Sequence, residues 1–239
     1  ERRAKVREKN TDRYAWGVGM ACGAHGNGYK GSYPEFTNVQ MMMHPDGSVE
    51  VRIGIHDQGC GTVLTMQQIA AEALHMDVYK IKVYEADTYI TPYDAAGTQA
   101  SRVTYVCGRA VQKAGEALFE KLIRAAGVLY GWDREEVSAA DGQRCGRGGS
   151  KSYGEVAKEY EKACSRYRRA ELEYEPPSNP GSYSSAFAEV KVDKYTGRVE
   201  VTDLLAVHDV GQCMNRTLAE GQVEGGAQMS LGMALCEEM

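Results

Sequence analysis

The sequence predicts an α+β fold in which one supersecondary unit, a β-hairpin followed by a turn and a helix, occurs twice. In the first copy a Gly-Ser-Val-Glu-Val strand at 47–51 leads to His-Asp-Gln-Gly-Cys at 56–60. In the second copy a Gly-Arg-Val-Glu-Val strand at 197–201 leads to His-Asp-Val-Gly-Gln-Cys at 208–213. A segment with helical periodicity follows each turn. This repetition predicts duplicated hairpin–helix units, with mixed sheets packed against helices.

Residue periodicity predicts the individual elements of the first half. Period-two patterns predict strands at 14–24 and 80–86 and a β-hairpin at 38–55. Apolar residues spaced three and four apart predict helices at about 62–75 and 101–130.

The second half has its own local signals. Ser152 and Glu155 have the spacing of a capping box, which predicts a short helix that ends near residue 163. Residues 165–174 are predicted to be extended. A hairpin at 186–207 and a glycine-interrupted helix at 215–238 complete this half.

The glycine-rich stretch Gly-Arg-Gly-Gly at 146–149 is interpreted as a linker. We therefore expect a charged lead-in at 1–13, a first α+β unit at 14–145 and a second at 150–239. The sequence stops directly after an apolar, helix-like stretch, which indicates that the second unit is truncated and that the chain is a fragment.

Composition excludes several classes of protein. The net charge of −5 disfavours a nucleic-acid partner. No apolar run approaches the roughly 20 residues that span a bilayer, so no membrane association is expected. The seven cysteines contain no Cys-x-x-Cys pair, which disfavours a disulfide scaffold, a zinc site or an iron–sulfur cluster. Reduced thiols and the absence of a signal-peptide pattern predict a cytoplasmic protein.

The turn at 56–62 is the first candidate binding site. Gly59 and Gly61 allow close approach of a ligand to the backbone, and the start of a helix favours anions. An ordinary tight strand-to-helix turn, with Thr62 as the helix cap, explains the pattern equally well. The turn has neither the P-loop pattern nor the dinucleotide-binding pattern.

Two further stretches are candidates. The loop at 87–102 is rich in hydroxyl groups and small residues, which fits either a polar concavity or a solvated surface loop. Gly225 and Gly226 each cost about 1 kcal/mol inside a helix, so a backbone or a flat ligand is expected close by, although helix–helix packing is an equal explanation. Asp57 and Asp209 are expected to cap helices. The histidines lack metal-binding spacing, and no catalytic base is identified.

Taken together, these stretches resemble the molybdenum-cofactor-binding subunit of the xanthine dehydrogenase and aldehyde oxidase family. The motifs occur in the family's order: Gly54–Thr62 with Gln68–Glu72, then Asp87–Arg102, then Asp209–Glu237. The resemblance begins at about residue 14. It implies a molybdenum cofactor-binding type of fold, with this chain as most of the second of two cofactor-binding parts, each a duplicated α+β unit.

The resemblance also implies which residues contact the cofactor. They come from the turn after the first hairpin, the loop that ends in Ala-Ser, and the glutamine of the Gly-Gln-Val-Glu-Gly motif. The predicted cofactor-binding residues are Gln58, Gly59, Cys60, Gly61, Thr98, Gln99, Ala100, Ser101, Arg102, Val103 and Gln222. Many family members have glutamine where this sequence has cysteine at position 60. A thiol lacks the two donors and the carbonyl acceptor of an amide.

The family hydroxylates a purine, an N-heterocycle or an aldehyde with oxygen from water. The resemblance implies a molybdenum–molybdopterin cofactor, with the cytosine dinucleotide as one form. Iron–sulfur clusters and FAD are expected on other domains or subunits, and the partners are these subunits, the rest of the large subunit and a small-molecule substrate. The family's catalytic glutamate lies outside this chain, so the isolated chain is expected to be inactive. A catalytically silent cofactor-binding or scaffold module of the same ancestry is the alternative.

Overall fold

The structure, a computed structural model, describes residues 1–133, 135, 137–140, 143–146, 149–164 and 169–238. In chain order its helices and strands are α1 (Arg2–Arg7), β1 (Tyr14–Gly26), β2 (Thr37–Met43), β3 (Val49–Ile53), α2 (Thr62–Leu74), β4 (Ile81–Tyr84), α3 (Gly108–Tyr130), β5 (Ser138–Ala140), β6 (Gln143–Gly146), β7 (Gly149–Ser152), α4 (Tyr153–Cys164), β8 (Arg169–Tyr174), β9 (Gly181–Asp193), β10 (Val199–Asp209) and α5 (Arg216–Leu235). This mixture of helices and non-barrel sheets confirms the predicted fold class.

The chain forms two compact units that are not consecutive in sequence. The smaller unit consists of Glu1–Gly26 and Pro180–Met239, and the larger unit is Asn27–Asn179. The division predicted at 145–150 therefore differs from the observed one. The physical reason is strand pairing: β1 pairs along its whole length with β9, so the N-terminal strand belongs with the C-terminal hairpin.

The larger unit is built on a four-stranded sheet in the order β4-β3-β2-β8. Strands β2 and β3 form the predicted antiparallel hairpin, and β4 runs parallel to β3. Val39, Met41, Val51 and Ile53 alternate toward a core that α2 and α3 cover. The apolar residues whose periodicity predicted these elements are therefore the residues that the elements bury.

The long helix of the larger unit begins later than predicted. Its α-helical part, α3, is preceded by a π-helical turn at Val103–Cys107. Ala100 and Ser101 have φ angles of 49° and 54°, which are left-handed and incompatible with a helix. The helical segment therefore starts after these two residues and not at residue 101.

The predicted capping box forms, and the ends of the predicted linker belong to two paired strands. The Ser152 amide donates to Glu155 Oε2 at 2.8 Å, and the Glu155 amide donates to Ser152 Oγ at 3.3 Å, which confirms the capping box. Gly146 and Gly149 are paired residues of the antiparallel strands β6 and β7, so the predicted linker connects two paired strands. Residues 147–148 and 165–168 lie outside the described residues.

The smaller unit holds the second hairpin, which pairs as β9 and β10 and confirms the predicted strands. Its sheet has the order β1-β9-β10. Helix α5 follows, and Asn215 caps it by accepting from the Leu218 amide at 3.1 Å. A methyl group added at Gly225 or Gly226 would meet no described atom within 4 Å, so the close neighbour predicted for them is not found within the described chain.

Both predicted hairpin–turn–helix units are thus present, one in each compact unit. Among the described residues, no helix combines the length and the apolar character needed to cross a bilayer.

Candidate functional site

The turn after β3 is organised by the carboxylate of Asp57. Oδ1 accepts from the amides of Gly59 at 2.8 Å and Gly61 at 3.1 Å, and Oδ2 lies 3.4 Å from the amide of Val63. Gly59 and Gly61 have φ angles of 90° and 75°, which favour glycine. The expectation that Asp57 caps the helix holds for one amide, because Val63 belongs to α2 whereas Gly59 precedes the helix and Gly61 is its N-cap.

Thr62 does not cap α2. The N-cap residue is Gly61, and Thr62 is the buried first residue of the helix. The Thr62 hydroxyl instead lies 3.0 Å from the Cys60 sulfur. The side chain of Cys60 is therefore occupied by a contact within the turn.

The ionised form of Asp57 is favoured by this geometry. Burial alone would raise the pKa of the carboxyl, but the amide hydrogen bonds from Gly59, Gly61 and Val63 outweigh it and lower that pKa below its ordinary value. A carboxyl whose pKa is depressed by folding stabilises the folded state above its unfolded-state pKa. That contribution is lost as the pH falls through the folded-state pKa.

We expect Asp57→Ala to reduce the free energy of unfolding by about 1 kcal/mol at neutral pH, the usual effect of losing a cap. The difference in the free energy of unfolding between this variant and wild type should become smaller as the pH falls below about 4, the ordinary range of an aspartate pKa. Urea unfolding at several pH values measures both. Asp209→Ala is the matched control, because Asp209 accepts only from the Gly211 amide among the described residues. An Asp57→Ala loss that does not vary with pH would contradict the assignment.

The loop before α3 is organised by an aspartate carboxylate in the same way, here that of Asp94. Asp94 Oδ1 accepts from the amides of Ala96 at 2.9 Å and Gly97 at 2.6 Å. The left-handed residues Ala100 and Ser101 follow, and each costs about 1–3 kcal/mol relative to an ordinary conformation. Their amides donate to no other residue in the described part of the chain.

The turn and the loop are tied together by Thr98. Its hydroxyl accepts from the His56 amide at 3.0 Å and donates to the His56 carbonyl at 2.7 Å. Gln58 Nε2 adds a hydrogen bond to the Thr98 carbonyl at 3.1 Å and lies 3.0 Å from His56 Nε2. Two stretches that are 40 residues apart in sequence thus form one site in the larger unit.

Beneath the loop, the side chain of Arg102 is fully enclosed. Its Nε donates to Glu35 Oε1 at 2.6 Å, and Nη1 donates to Asp94 Oδ1 at 2.7 Å. Further bonds reach the carbonyls of Gly97 at 2.8 Å and Phe36 at 3.2 Å. The guanidinium is 0% exposed, so Arg102 can contact a ligand only through its backbone.

The other predicted residues occupy varied surroundings. Val103 is buried in the core, so a ligand contact there also falls to the backbone. Gln99 is exposed, and its Nε2 donates to the Ala96 carbonyl at 2.7 Å. Gln222 is an exposed residue of α5 in the smaller unit.

Glu35 and Asp94 were not predicted from the sequence. Each carboxylate stands beside an aromatic residue, Phe36 and Tyr93 respectively, outside the predicted strands and helices. An acidic residue among aromatic and small neighbours is the one signal that could have indicated burial, since acidic residues are rarely buried unless they are paired.

A thiol beside this cluster is chemically inert. Cys107 is buried, and its sulfur lies 3.8 Å from Asp94 Oδ2. Burial raises the pKa of the Cys107 thiol to about 12, so it is a neutral thiol at neutral pH and no nucleophile.

The donor groups at the site suit a polar organic ligand. The described residues contain no group of three or more His, Cys, Asp or Glu side chains that could hold a metal. The amides of Ala100 and Ser101 have no acceptor among the described residues, and a methyl group placed at Gly59 would meet no described atom within 4 Å. Neutral donors of this kind fit the ring heteroatoms or phosphates of a cofactor.

A profile of the molybdopterin cofactor-binding domain matches residues 1–239, the whole chain. The chain belongs to this domain family. The resemblance stated from the motifs is therefore confirmed.

Among its relatives, this domain is 30% identical over 230 residues to the xanthine dehydrogenase molybdenum-binding subunit of Escherichia coli, covering 93% of this chain and 30% of the relative. The solved structure of the Cu,Mo-CO dehydrogenase matches 93% of the chain with a TM-score of 0.79 at 24% identity, covering 30% of that chain. The aldehyde oxidoreductase from Desulfovibrio desulfuricans matches 99% of the chain with a TM-score of 0.78 at 25% identity, covering 24% of that chain. The domain thus spans about 30% of the E. coli relative.

Proposed function

We propose that this chain binds part of a molybdopterin cofactor within the large subunit of a molybdenum hydroxylase. The observation that carries the proposal is the Thr98 bridge, which joins the turn at 57–61 to the strained loop at 97–102. The family membership of the whole chain supports it. The bound cofactor would supply the redox chemistry, and the chain would supply binding and orientation.

Each segment has a distinct part in this proposal. The amides of Ala100 and Ser101 donate to acceptor atoms of the pterin or its phosphates. Gln58 uses its NH2 group on Thr98, which leaves its carbonyl oxygen to accept from the ligand. The amides of Gly59 and Gly61 already donate to the Asp57 carboxylate, so these glycines serve close approach and not hydrogen bonding.

The other predicted contact residues have separate roles in the same proposal. Cys60 takes part through its backbone, because its thiol contacts Thr62. Gln99, Arg102 and Val103 belong to the loop that carries the donor amides. Gln222 is proposed as a contact from α5.

The parent enzyme is proposed to hydroxylate a purine, an N-heterocycle or an aldehyde with oxygen from water. The E. coli relative is a xanthine dehydrogenase subunit and the D. desulfuricans protein is an aldehyde oxidoreductase, which supports this range. The catalytic base, the iron–sulfur clusters and FAD would then lie on other parts of a cytoplasmic complex. The cytosine dinucleotide is one form in which the cofactor would be bound.

The proposal is tested on the complete enzyme that contains this chain, by measuring molybdenum and pterin per large subunit. Wild type is expected to retain both through gel filtration. Absence of both would refute the proposal and favour a catalytically silent scaffold.

Thr98→Val tests the bridge itself. It keeps the shape of the side chain and removes both hydrogen bonds to His56, which is expected to weaken cofactor retention by about 1–3 kcal/mol, or roughly 5- to 150-fold. Thr98→Ser keeps the hydroxyl and is the matched control, with retention close to wild type. Equal cofactor content in the valine and serine variants would show that the bridge does not organise the site.

A further inference from the structure

Arg102 is the one lysine or arginine that is buried among the described residues. Burial of a cation is unfavourable unless its donors are paired. Here the guanidinium is held on both sides, by the carboxylates of Glu35 and Asp94, whose side chains are 0% and 2% exposed. Glu35 is itself fixed, because it accepts from the Tyr29 amide. All three charged groups of this cluster therefore have hydrogen-bond partners within the protein.

This network is attached directly to the strained segment. Arg102 follows the left-handed residues Ala100 and Ser101 in sequence, and its amide donates to the Gln99 carbonyl at 3.1 Å. Its guanidinium reaches back to the carbonyl of Gly97, at the other end of the same segment. One residue thus holds both ends of the five-residue segment 97–101, by its side chain at Gly97 and by its backbone amide at the other end.

The strain explains why such a restraint is needed. Ala and Ser residues with positive φ return to ordinary conformations unless their surroundings hold them. Asp94 shares the task, because the same carboxylate oxygen that pairs with Arg102 accepts from the amides of Ala96 and Gly97.

We propose that Arg102 is a positioning residue, which holds residues 97–101 in the strained conformation that offers the Ala100 and Ser101 amides to the cofactor. The inference rests on the proposed cofactor-binding function. Arg102 acts without touching the ligand through its side chain. A lysine cannot replace it, because a single ammonium group lacks the planar fork that reaches acceptors on opposite sides.

The test uses the complete enzyme and compares release of molybdenum and pterin over time with the thermal midpoint. Arg102→Lys is expected to release the cofactor at least about tenfold faster than wild type, equivalent to about 1.4 kcal/mol. Arg109→Lys makes the same substitution at an exposed site on α3 and should leave release unchanged. Leu118→Ala removes core contacts near the middle of α3, and should lower the thermal midpoint without a matching rise in release.

A rescue variant separates positioning from a merely structural role. Glycine adopts positive φ readily, so Ala100→Gly in the Arg102→Lys background should recover much of the cofactor retention. Glu35→Gln, which keeps the size of the side chain and weakens one ion pair, is made in parallel and should also speed release. It keeps the test valid if the lysine variant fails to fold.

The inference would be overturned if the Arg102→Lys and Glu35→Gln variants released the cofactor no faster than Leu118→Ala does at an equal loss of thermal midpoint. A failure of Ala100→Gly to restore retention would overturn it as well. Wild-type enzyme without molybdenum and pterin would instead refute the proposed function, and the positioning role would fall with it. The wild-type cofactor content therefore distinguishes the two failures.

Discussion

Arg102→Met is expected to lower the free energy of unfolding of this chain by about 3–5 kcal/mol, the usual effect of removing one partner from a buried ionic network. Methionine fills much of the same space but leaves the Glu35 and Asp94 carboxylates without their cation. The cost is therefore that of two buried, uncompensated negative charges and not that of a cavity.

Urea unfolding followed by tryptophan fluorescence measures this loss. Trp132 lies in the larger unit and packs on Tyr130, with ring centroids 4.8 Å apart, whereas Trp16 lies in the smaller unit. A Trp16→Phe background therefore reports on the unit that contains Arg102. Arg109→Met is the control, because exposed substitutions usually change stability by within about 0.5 kcal/mol. Equal losses in the two methionine variants would contradict the buried network.

Gly54→Ala is expected to destabilise the larger unit by about 1–3 kcal/mol, in the range found for overpacking. A methyl group at this position would lie 2.7 Å from the Pro92 carbonyl oxygen and 2.9 Å from Asp94 Cβ. The Pro92 carbonyl belongs to the backbone, so the loop itself must shift. Because the shift moves Asp94 relative to Arg102, cofactor retention by the complete enzyme should fall as well.

Gly225→Ala is the control for this substitution. A methyl group at Gly225 would meet no described atom within 4 Å, and alanine favours the helix by up to about 1 kcal/mol. Thermal unfolding of the two variants beside wild type should therefore show changes of opposite sign. Unchanged stability and cofactor retention in Gly54→Ala would contradict the close approach of the turn and the loop.

The sequence by itself determined most of the local structure of this protein. Both hairpins, the helix after each turn, and the capping box of Ser152 and Glu155 were predicted, because their signals lie within a few residues of each other. The repeated His-Asp-x-Gly turn likewise indicated duplication. The order of the motifs indicated the family, which the match over the whole chain confirms.

Only the tertiary structure decided how these pieces combine. The pairing of β1 with β9 brings Tyr14 opposite Asp193. The Thr98 bridge joins residues that are 42 positions apart, and the ion pair of Arg102 with Glu35 joins residues that are 67 positions apart. The left-handed conformations of Ala100 and Ser101 are also imposed from outside, since neither residue favours them locally. Local periodicity follows from side-chain burial within one element. The site depends on hydrogen bonds and ion pairs between elements, and no local pattern encodes these.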